Sequence, residues 1–249
     1  MMPADDRKPE QVLKPEYLRE YTTAHNDIWY RLVHVNTSIQ ILEIIASYPV
    51  DHLFDPSEAV FLKMLYWNFN YTCIVMLYAI LDDPEGLTLN QFKNTLIKKW
   101  LPEKEQQFFR AKLKNCRFSA KCKRLKSRLQ QIRHKVIAHR DPKIVNGSLR
   151  IPVLSIADLR TLYNETEALF SACSFHAEYE TRLYVPCTVG DKPVQKDIEY
   201  IMDLLVYHSF WLNQPERDIE LWPELRKSLT EKELLDLNTW RVKLGLPPA

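Results

Sequence analysis

Arg133 and His139 are the two residues of this sequence whose types and spacing could carry out chemistry together. They stand six positions apart in the segment CKRLKSRLQQIRHKVIAHRDP. A guanidinium is a fixed cation that can donate two hydrogen bonds to one phosphate, and an imidazole can carry a proton near neutral pH. Together they could act on an RNA phosphate. In the alternative interpretation, Arg133 is a solvated edge residue and His139 interacts with the dipole at a helix C-terminus.

The same segment lies in a strongly basic block. Between Arg110 and Arg140 there are twelve Lys or Arg residues and no Asp or Glu, although the formal net charge of the whole chain is only +2. A local positive charge of this density is typical of a polyanion-binding surface, and its helical context favours nucleic acid over lipid headgroups. The alternative is a solvated basic face. The predicted RNA-binding residues are Lys121, Lys123, Arg124, Arg128, Lys135 and Arg140.

A helix must position these side chains. At about 100° per residue, one apolar stripe forms along the basic segment from Cys122, Leu125, Leu129, Ile132 and Val136. Arg133 flanks this stripe on one side, and His139 flanks it on the other if the helix continues that far. Both polar groups therefore border a predicted packing seam.

The rest of the chain predicts an all-α protein. Only four glycines occur in 249 residues, which disfavours a sheet protein with many hairpins. Apolar periodicity, prolines and capping signals predict long helices over residues 15–47, 55–81, 119–138 and 155–184. They also predict a short helix over residues 88–100 and another helix beginning near Pro102. The Asn-Gly pair within residues 143–153 predicts one small β-hairpin.

Composition also predicts the compartment. The five cysteines are an odd number without a C-x-x-C pair, which favours a reducing cytoplasm and gives no metal-ligand pattern. The N-terminus has no apolar signal core. Residues 64–81 carry no charge, but Asn68, Asn70 and Thr72 favour a buried core helix over a membrane span. We expect no membrane partner, no metal and no cofactor.

The motif resembles the signature of the HEPN superfamily, an arginine separated from a histidine by four to six residues at the end of a long bundle helix. His134 follows the arginine directly, as a polar neighbour. The run VIAHRDP and the upstream AILDDPEGLTL are similar to the abortive-infection U-type branch, the phage-resistance proteins. The resemblance covers roughly residues 55–185.

The resemblance implies a HEPN-like four-helix bundle core, which we place over residues 15–187. The polar residues 1–14 predict a flexible N-terminus, and capping signals and tryptophans predict that residues 188–249 form a C-terminal helical extension packed on the core. The resemblance implies a homodimer in which two motifs share a cleft. It also implies that His139 transfers a proton, Arg133 stabilises the phosphorane charge and His134 assists. Members regulated by modification carry a tyrosine two positions after the histidine, where this chain has Asp141, so nucleotidylation there is not expected.

Three functions remain open on the sequence alone. The first is a metal-independent endoribonuclease in phage defence or a toxin–antitoxin role, with RNA as substrate and an antitoxin or a phage-derived activator as a further partner. The second is a non-catalytic RNA- or nucleotide-binding HEPN module on the same fold. The third is a helical partner-binding protein without nucleic acid, which the basic block disfavours.

Overall fold

The computed structural model describes residues 5–48, 60–114, 116–134 and 153–175, together with nine single residues between 198 and 242. Of the residues described, 83% are helical and none belongs to a β-strand. The predicted all-α class is therefore confirmed. The predicted hairpin at 143–153 and most of the C-terminal extension lie outside the described residues.

Seven α-helices occur in the described part of the chain. They are α1 (Pro9–Val12), α2 (Leu18–Ser47), α3 (Val60–Asp82), α4 (Leu89–Thr95), α5 (Glu103–Lys114), α6 (Ala120–Ile132) and α7 (Ile156–Ala172). A 3-10 turn, Pro15–Tyr17, leads directly into α2, and a π-helical turn, Leu96–Trp100, extends α4. The predicted helices over 15–47 and 88–100 are thus present, the first with a 3-10 turn at its start and the second with a π-helical turn at its end.

Side-chain caps begin three of these helices. Thr88 accepts from the backbone N–H of Gln91 at 3.2 Å, and the Gln91 side chain accepts from the backbone N–H of Thr88 at 2.8 Å. The same reciprocal capping box joins Ser155 and Asp158 at the start of α7. Because such caps satisfy N–H groups that have no partner within the helix, they fix where a helix begins.

The end predicted for α7 was wrong. The sequence predicted a helix to residue 184, but α7 ends at Ala172. The backbone N–H groups of Cys173 and Ser174 close tight turns onto the carbonyls of Phe170 and Ser171. Phe175 then forms a bridge with Asp5. Tertiary pairing with the N-terminal segment therefore ends a helix that local periodicity would have continued.

The chain divides into two compact units. The first comprises Met1–Ile39 and Phe69–Pro186, and the second comprises Gln40–Asn68 and Cys187–Ala249. An aromatic cluster forms the centre of the first unit: Tyr21 lies 5.6 Å from both Phe92 and Trp100 between ring centroids, and 5.4 Å from Phe175. The candidate residues on α6 belong to this first unit.

The N-terminal segment packs on the first unit from residue 5 onward. The Arg7 guanidinium donates to both carboxylate oxygens of Glu105, at 3.2 and 3.1 Å. The backbone N–H of Lys14 donates to the Trp100 carbonyl at 3.0 Å, and Val12 and Leu13 are buried. The segment predicted to be flexible thus makes specific contacts over residues 5–14.

Helix α3 has two different halves. Its C-terminal half is buried at Cys73, Leu77 and Ile80, as predicted for a core helix, whereas Trp67 in its N-terminal half is 72% exposed. Within the described residues, Leu62–Asp82 is the one stretch long and apolar enough to cross a membrane. Core helices of soluble proteins can be equally long and apolar, so length and composition alone are weak support for a membrane-spanning helix.

Candidate RNA-processing site

The basic helix α6 is fixed at its start by a cap and a carboxylate. The Ser119 hydroxyl accepts from the backbone N–H of Cys122 at 3.0 Å. Glu165 on α7 accepts from the Ser119 backbone N–H at 2.8 Å and from its hydroxyl at 2.6 Å. A carboxylate near a helix N-terminus also interacts favourably with the helix dipole. Helix α7 therefore positions the beginning of α6.

The apolar stripe predicted on α6 faces the core. Cys122, Leu125, Leu129 and Ile132 are all buried. Burial raises the pKa of the Cys122 thiol to about 12, which keeps the thiol protonated at neutral pH. Val136, the last member of the predicted stripe, lies outside the described residues. The stripe anchors α6 and leaves its opposite face to charged side chains.

Arg133 continues the helical geometry of α6, with φ −57° and ψ −46°. Its guanidinium carbon lies 5.5 Å from the centre of the Tyr78 ring on α3, within the range of a cation–π contact. The side chain is half-buried. The arginine thus borders the seam between α3 and α6, as the sequence predicted.

His134 contacts the same tyrosine. Its Nε2 lies 3.1 Å from the Tyr78 hydroxyl, and the two rings meet edge to face with centroids 5.4 Å apart. The tyrosine hydroxyl donates when the imidazole is neutral and Nε2 carries no proton. His134 remains exposed, whereas Tyr78 is buried. Tyr78 therefore holds both an arginine and a histidine at the surface end of the seam.

The electrostatic surroundings keep Tyr78 protonated. Burial, followed by the nearby carboxylates Asp82 and Asp83, raises the pKa of its hydroxyl, and the Arg133 cation opposes this rise. A phenol whose pKa lies above its usual value near 10 stays neutral at physiological pH. Tyr78 can therefore orient His134 by a hydrogen bond without adding a negative charge beside Arg133 and His134.

A second contact fixes how α3 and α6 run past each other. Lys126 on α6 forms an ion pair with Asp82 on α3, with the ammonium nitrogen and carboxylate oxygen 2.8 Å apart. Arg133 and His134 directly follow the end of α6, yet they contact Tyr78, which precedes Asp82 on α3. The two helices are therefore antiparallel here.

The predicted site residues divide into those that the structure describes and those beyond it. Arg133 and His134 meet at Tyr78. The side chains of the predicted RNA-binding residues on α6 are exposed, namely Lys121, Lys123, Arg124 and Arg128. Lys121 also donates to the Thr161 hydroxyl at 3.3 Å. His139, Lys135 and Arg140 lie outside the described residues, so their roles remain predictions.

Sequence reasoning missed Tyr78 and Asp82. They stand four residues apart on α3, which places them on one helix face. Two polar groups at this spacing, at the end of a long apolar run, could have indicated a functional pair. The sequence did not predict which helix the pair would face.

The described residues contain no group of three or more His, Cys, Asp or Glu side chains that could hold a metal ion. The described cysteines are free; Cys73, Cys122 and Cys173 are buried, and Cys116 is half-buried.

Comparison with known families gives a match over most of the chain. A family model described as AbiU2, of the HEPN type, matches residues 16–190. The match spans more than half of the 249 residues and contains Tyr78, Arg133, His134 and His139. The comparisons with curated proteins and with solved structures found no match.

Proposed function

Because the chain belongs to the AbiU2 branch of the HEPN superfamily, a branch of abortive-infection modules, we propose that it is a metal-independent endoribonuclease. Two copies would share a cleft, with Arg133 and His139 contributed by each. The reaction would serve phage defence or a toxin–antitoxin system in the cytoplasm, controlled by an antitoxin or a phage-derived activator. The observation that carries the proposal is the pairing of Arg133 with His134 around Tyr78 beside an exposed basic helix face.

The proposed reaction uses the substrate's own nucleophile. The ribose 2′-oxygen forms a bond to the adjacent phosphorus while the bond from phosphorus to the 5′-oxygen breaks. One imidazole accepts the 2′-hydroxyl proton, and another donates a proton to the departing 5′-oxygen. Arg133 stabilises the additional negative charge on the phosphorane. The products are a 2′,3′-cyclic phosphate and a 5′-hydroxyl.

Two copies are proposed because one motif presents too few groups for phosphate capture and for proton transfer at both the attacking and the leaving oxygen. An exposed apolar stripe on α3 supports this assembly: Val60, Met64, Trp67 and Tyr71 are all more than half exposed and follow helical spacing along one face. Exposed apolar stripes of this kind commonly mark a protein or membrane contact. A second copy of the chain would cover the stripe.

Cleavage is tested with a labelled single-stranded RNA pool in EDTA, using wild type, Arg133→Ala and His139→Ala. Each substitution should lower the cleavage rate by about 10²-fold or more, the scale expected for losing a preorganised charge or a general acid–base group. Circular dichroism should show unchanged helix content. Cleavage that disappears in EDTA, or that survives both substitutions, contradicts the proposed chemistry.

A second function is favoured by the exposed basic face of α6, which would bind RNA even without cleavage. Changing Lys121, Lys123, Arg124 and Arg128 together to Gln should weaken RNA binding and reduce its salt dependence, because fewer counterions are released. If wild type binds RNA in this way but yields no cyclic phosphate, alone or with an activator, the protein is a binding module. If the quadruple variant binds RNA as well as wild type does, the basic face is exposed to solvent but does not bind RNA.

Assembly is tested by light scattering of wild type and Trp67→Glu. Wild type should be a dimer at micromolar concentration, and the buried charge at the interface should shift the variant to monomer. Lys63→Glu, an exposed change beside the stripe, is the matched control and should stay dimeric. Monomeric wild type contradicts the shared cleft. Recovery only in the membrane fraction would instead assign the stripe to lipid.

A further inference from the structure

The first unit contains a cavity of about 800 Å³ that is separate from the Arg133 site. Its walls come from the end of α3, the start of α4, the end of α5 and the first half of α6. Leucines on these helices and on α7 line its apolar part. Neither Tyr78 nor Arg133 nor His134 lines it. The volume falls within the range of ligand-binding cavities in proteins.

The cavity has an excess of positive charge. Six cationic side chains line it, against two carboxylates, Asp82 and Asp83. The cations are Lys93, Arg110, Lys114, Arg117, Lys123 and Lys126. They come from α4, α5, α6 and the segment between the last two, so the packing of several elements brings them together.

The two carboxylates already have other partners. Asp82 pairs with Lys126, and Asp83 accepts from the backbone N–H of Glu85 at 3.1 Å. None of the other five cations forms an ion pair with a carboxylate in the described part of the chain. Like charges around one concavity repel each other, and a bound anion would relieve that repulsion. The cavity therefore suits a ligand with more than one negative charge.

The cavity and the Arg133 site lie along the same side of α6. Lys126 and Arg133 are seven residues apart on α6, so they share one side of the helix about 10 Å apart along its axis. Phe118, a half-buried aromatic residue, lines the cavity together with the exposed Asn90. Aromatic rings stack on bases, and amides donate to and accept from base edges.

The geometry points to this cavity as a subsite for single-stranded RNA, one that binds backbone phosphates away from the phosphate at Arg133. This inference rests on the proposed function, because it assumes that the protein binds RNA. In the subsite, Lys114 and Arg117 contact phosphates, and Phe118 stacks on a base. The strand then runs along α6 from the cavity to Arg133. The subsite fixes which phosphate of a bound strand reaches the motif.

The direct test compares two double variants in RNA binding across a salt series. Lys114→Gln with Arg117→Gln removes two cations from the cavity. Lys98→Gln with Lys104→Gln removes two exposed cations outside it and is the matched control. The cavity variant should bind RNA about tenfold more weakly, with a salt slope lower by roughly 1.4, or about 0.7 for each lost contact on a single strand. The control should match wild type.

Cys116 gives a readout that does not depend on activity. It lines the cavity and is half-buried, whereas the other described cysteines are buried. Alkylation by iodoacetamide, followed at the Cys116 peptide by mass spectrometry, should slow when wild type is saturated with RNA. The slowing should require oligonucleotides long enough to reach from Arg133 to the cavity, tested over about 4 to 16 nucleotides, the range of single-strand site sizes.

Each outcome has a distinct meaning. Unchanged Cys116 alkylation with RNA bound, or a cavity variant that binds like wild type, overturns the subsite and leaves the proposed ribonuclease intact. Wild type that binds no RNA overturns both. ATP is the second probe: if ATP protects Cys116 and RNA does not, the cavity is a free-nucleotide site and the RNA subsite is wrong. Protection by RNA, lost in the cavity variant, supports it.

Discussion

Two histidines in the first unit each lie beside a hydroxyl group, but in opposite surroundings. His25 Nε2 is 3.0 Å from the Ser174 hydroxyl, and His134 Nε2 is 3.1 Å from the Tyr78 hydroxyl. His25 is only 1% exposed and lies 4.6 Å from the Phe170 ring, whereas His134 is exposed. Burial lowers the pKa of His25 to about 4.

The comparison shows that burial decides what a histidine can do. At neutral pH His25 is uncharged and enclosed by aromatic rings, so it acts as part of the core. His134 has a similar hydrogen bond but remains accessible to a substrate beside Arg133. The aromatic core around His25 should therefore respond to substitution through stability, and the Tyr78 seam should respond through activity.

The largest effect should come from the aromatic core. Phe92 is fully buried and contacts Tyr21, Trp100 and Phe170. Phe92→Ala should lower the free energy of unfolding by about 3–5 kcal/mol because it removes buried apolar surface and leaves a cavity. Urea denaturation measures the change. Phe108→Ala, at a 55% exposed ring, is the control and should cost much less; equal losses would contradict the assigned core.

The next effect is a pH dependence of stability caused by His25. The pKa of His25 is about 4 in the folded chain and about 6.5 in the unfolded chain. Between these two pH values the unfolded chain therefore binds a proton that the folded chain does not bind. Stability should therefore be complete above about pH 6.5 and fall by about 3 kcal/mol as pH drops towards 4. Denaturation at several pH values should show a flatter profile for His25→Phe than for wild type. Loss of the exposed His34, in His34→Gln, should leave the profile unchanged.

The smallest effect should come from the Tyr78 seam, and it should appear in activity. Tyr78→Phe removes the hydroxyl that orients His134, and His134→Ala removes the imidazole. Each should reduce RNA cleavage less than Arg133→Ala does and change stability by no more than about 1 kcal/mol, the usual net contribution of one hydrogen bond. If the two substitutions act through the same contact, the double variant should cleave no worse than His134→Ala. Strictly multiplicative losses would show that Tyr78 and His134 act separately.

Local signals in the sequence predicted much of the helical framework. The capping boxes at Thr88 and Ser155 predicted helix starts that the structure confirms, because a cap depends on residues only three positions apart. The apolar stripe of α6 was also predictable, since helical periodicity alone places Cys122, Leu125 and Leu129 on one face. The end of α7 was not, because Asp5, more than 160 positions away, pairs with Phe175 there.

The sequence by itself determined the all-α class, the basic face of α6 and the placement of Arg133 beside an apolar seam. Tertiary structure decided that Tyr78 contacts both Arg133 and His134, and that cations from separate elements surround one cavity. The physical reason is the range of the interactions. Periodicity and capping act within a few residues and fix which face of a helix is apolar, whereas the partner of that face depends on packing between segments that are distant in the chain.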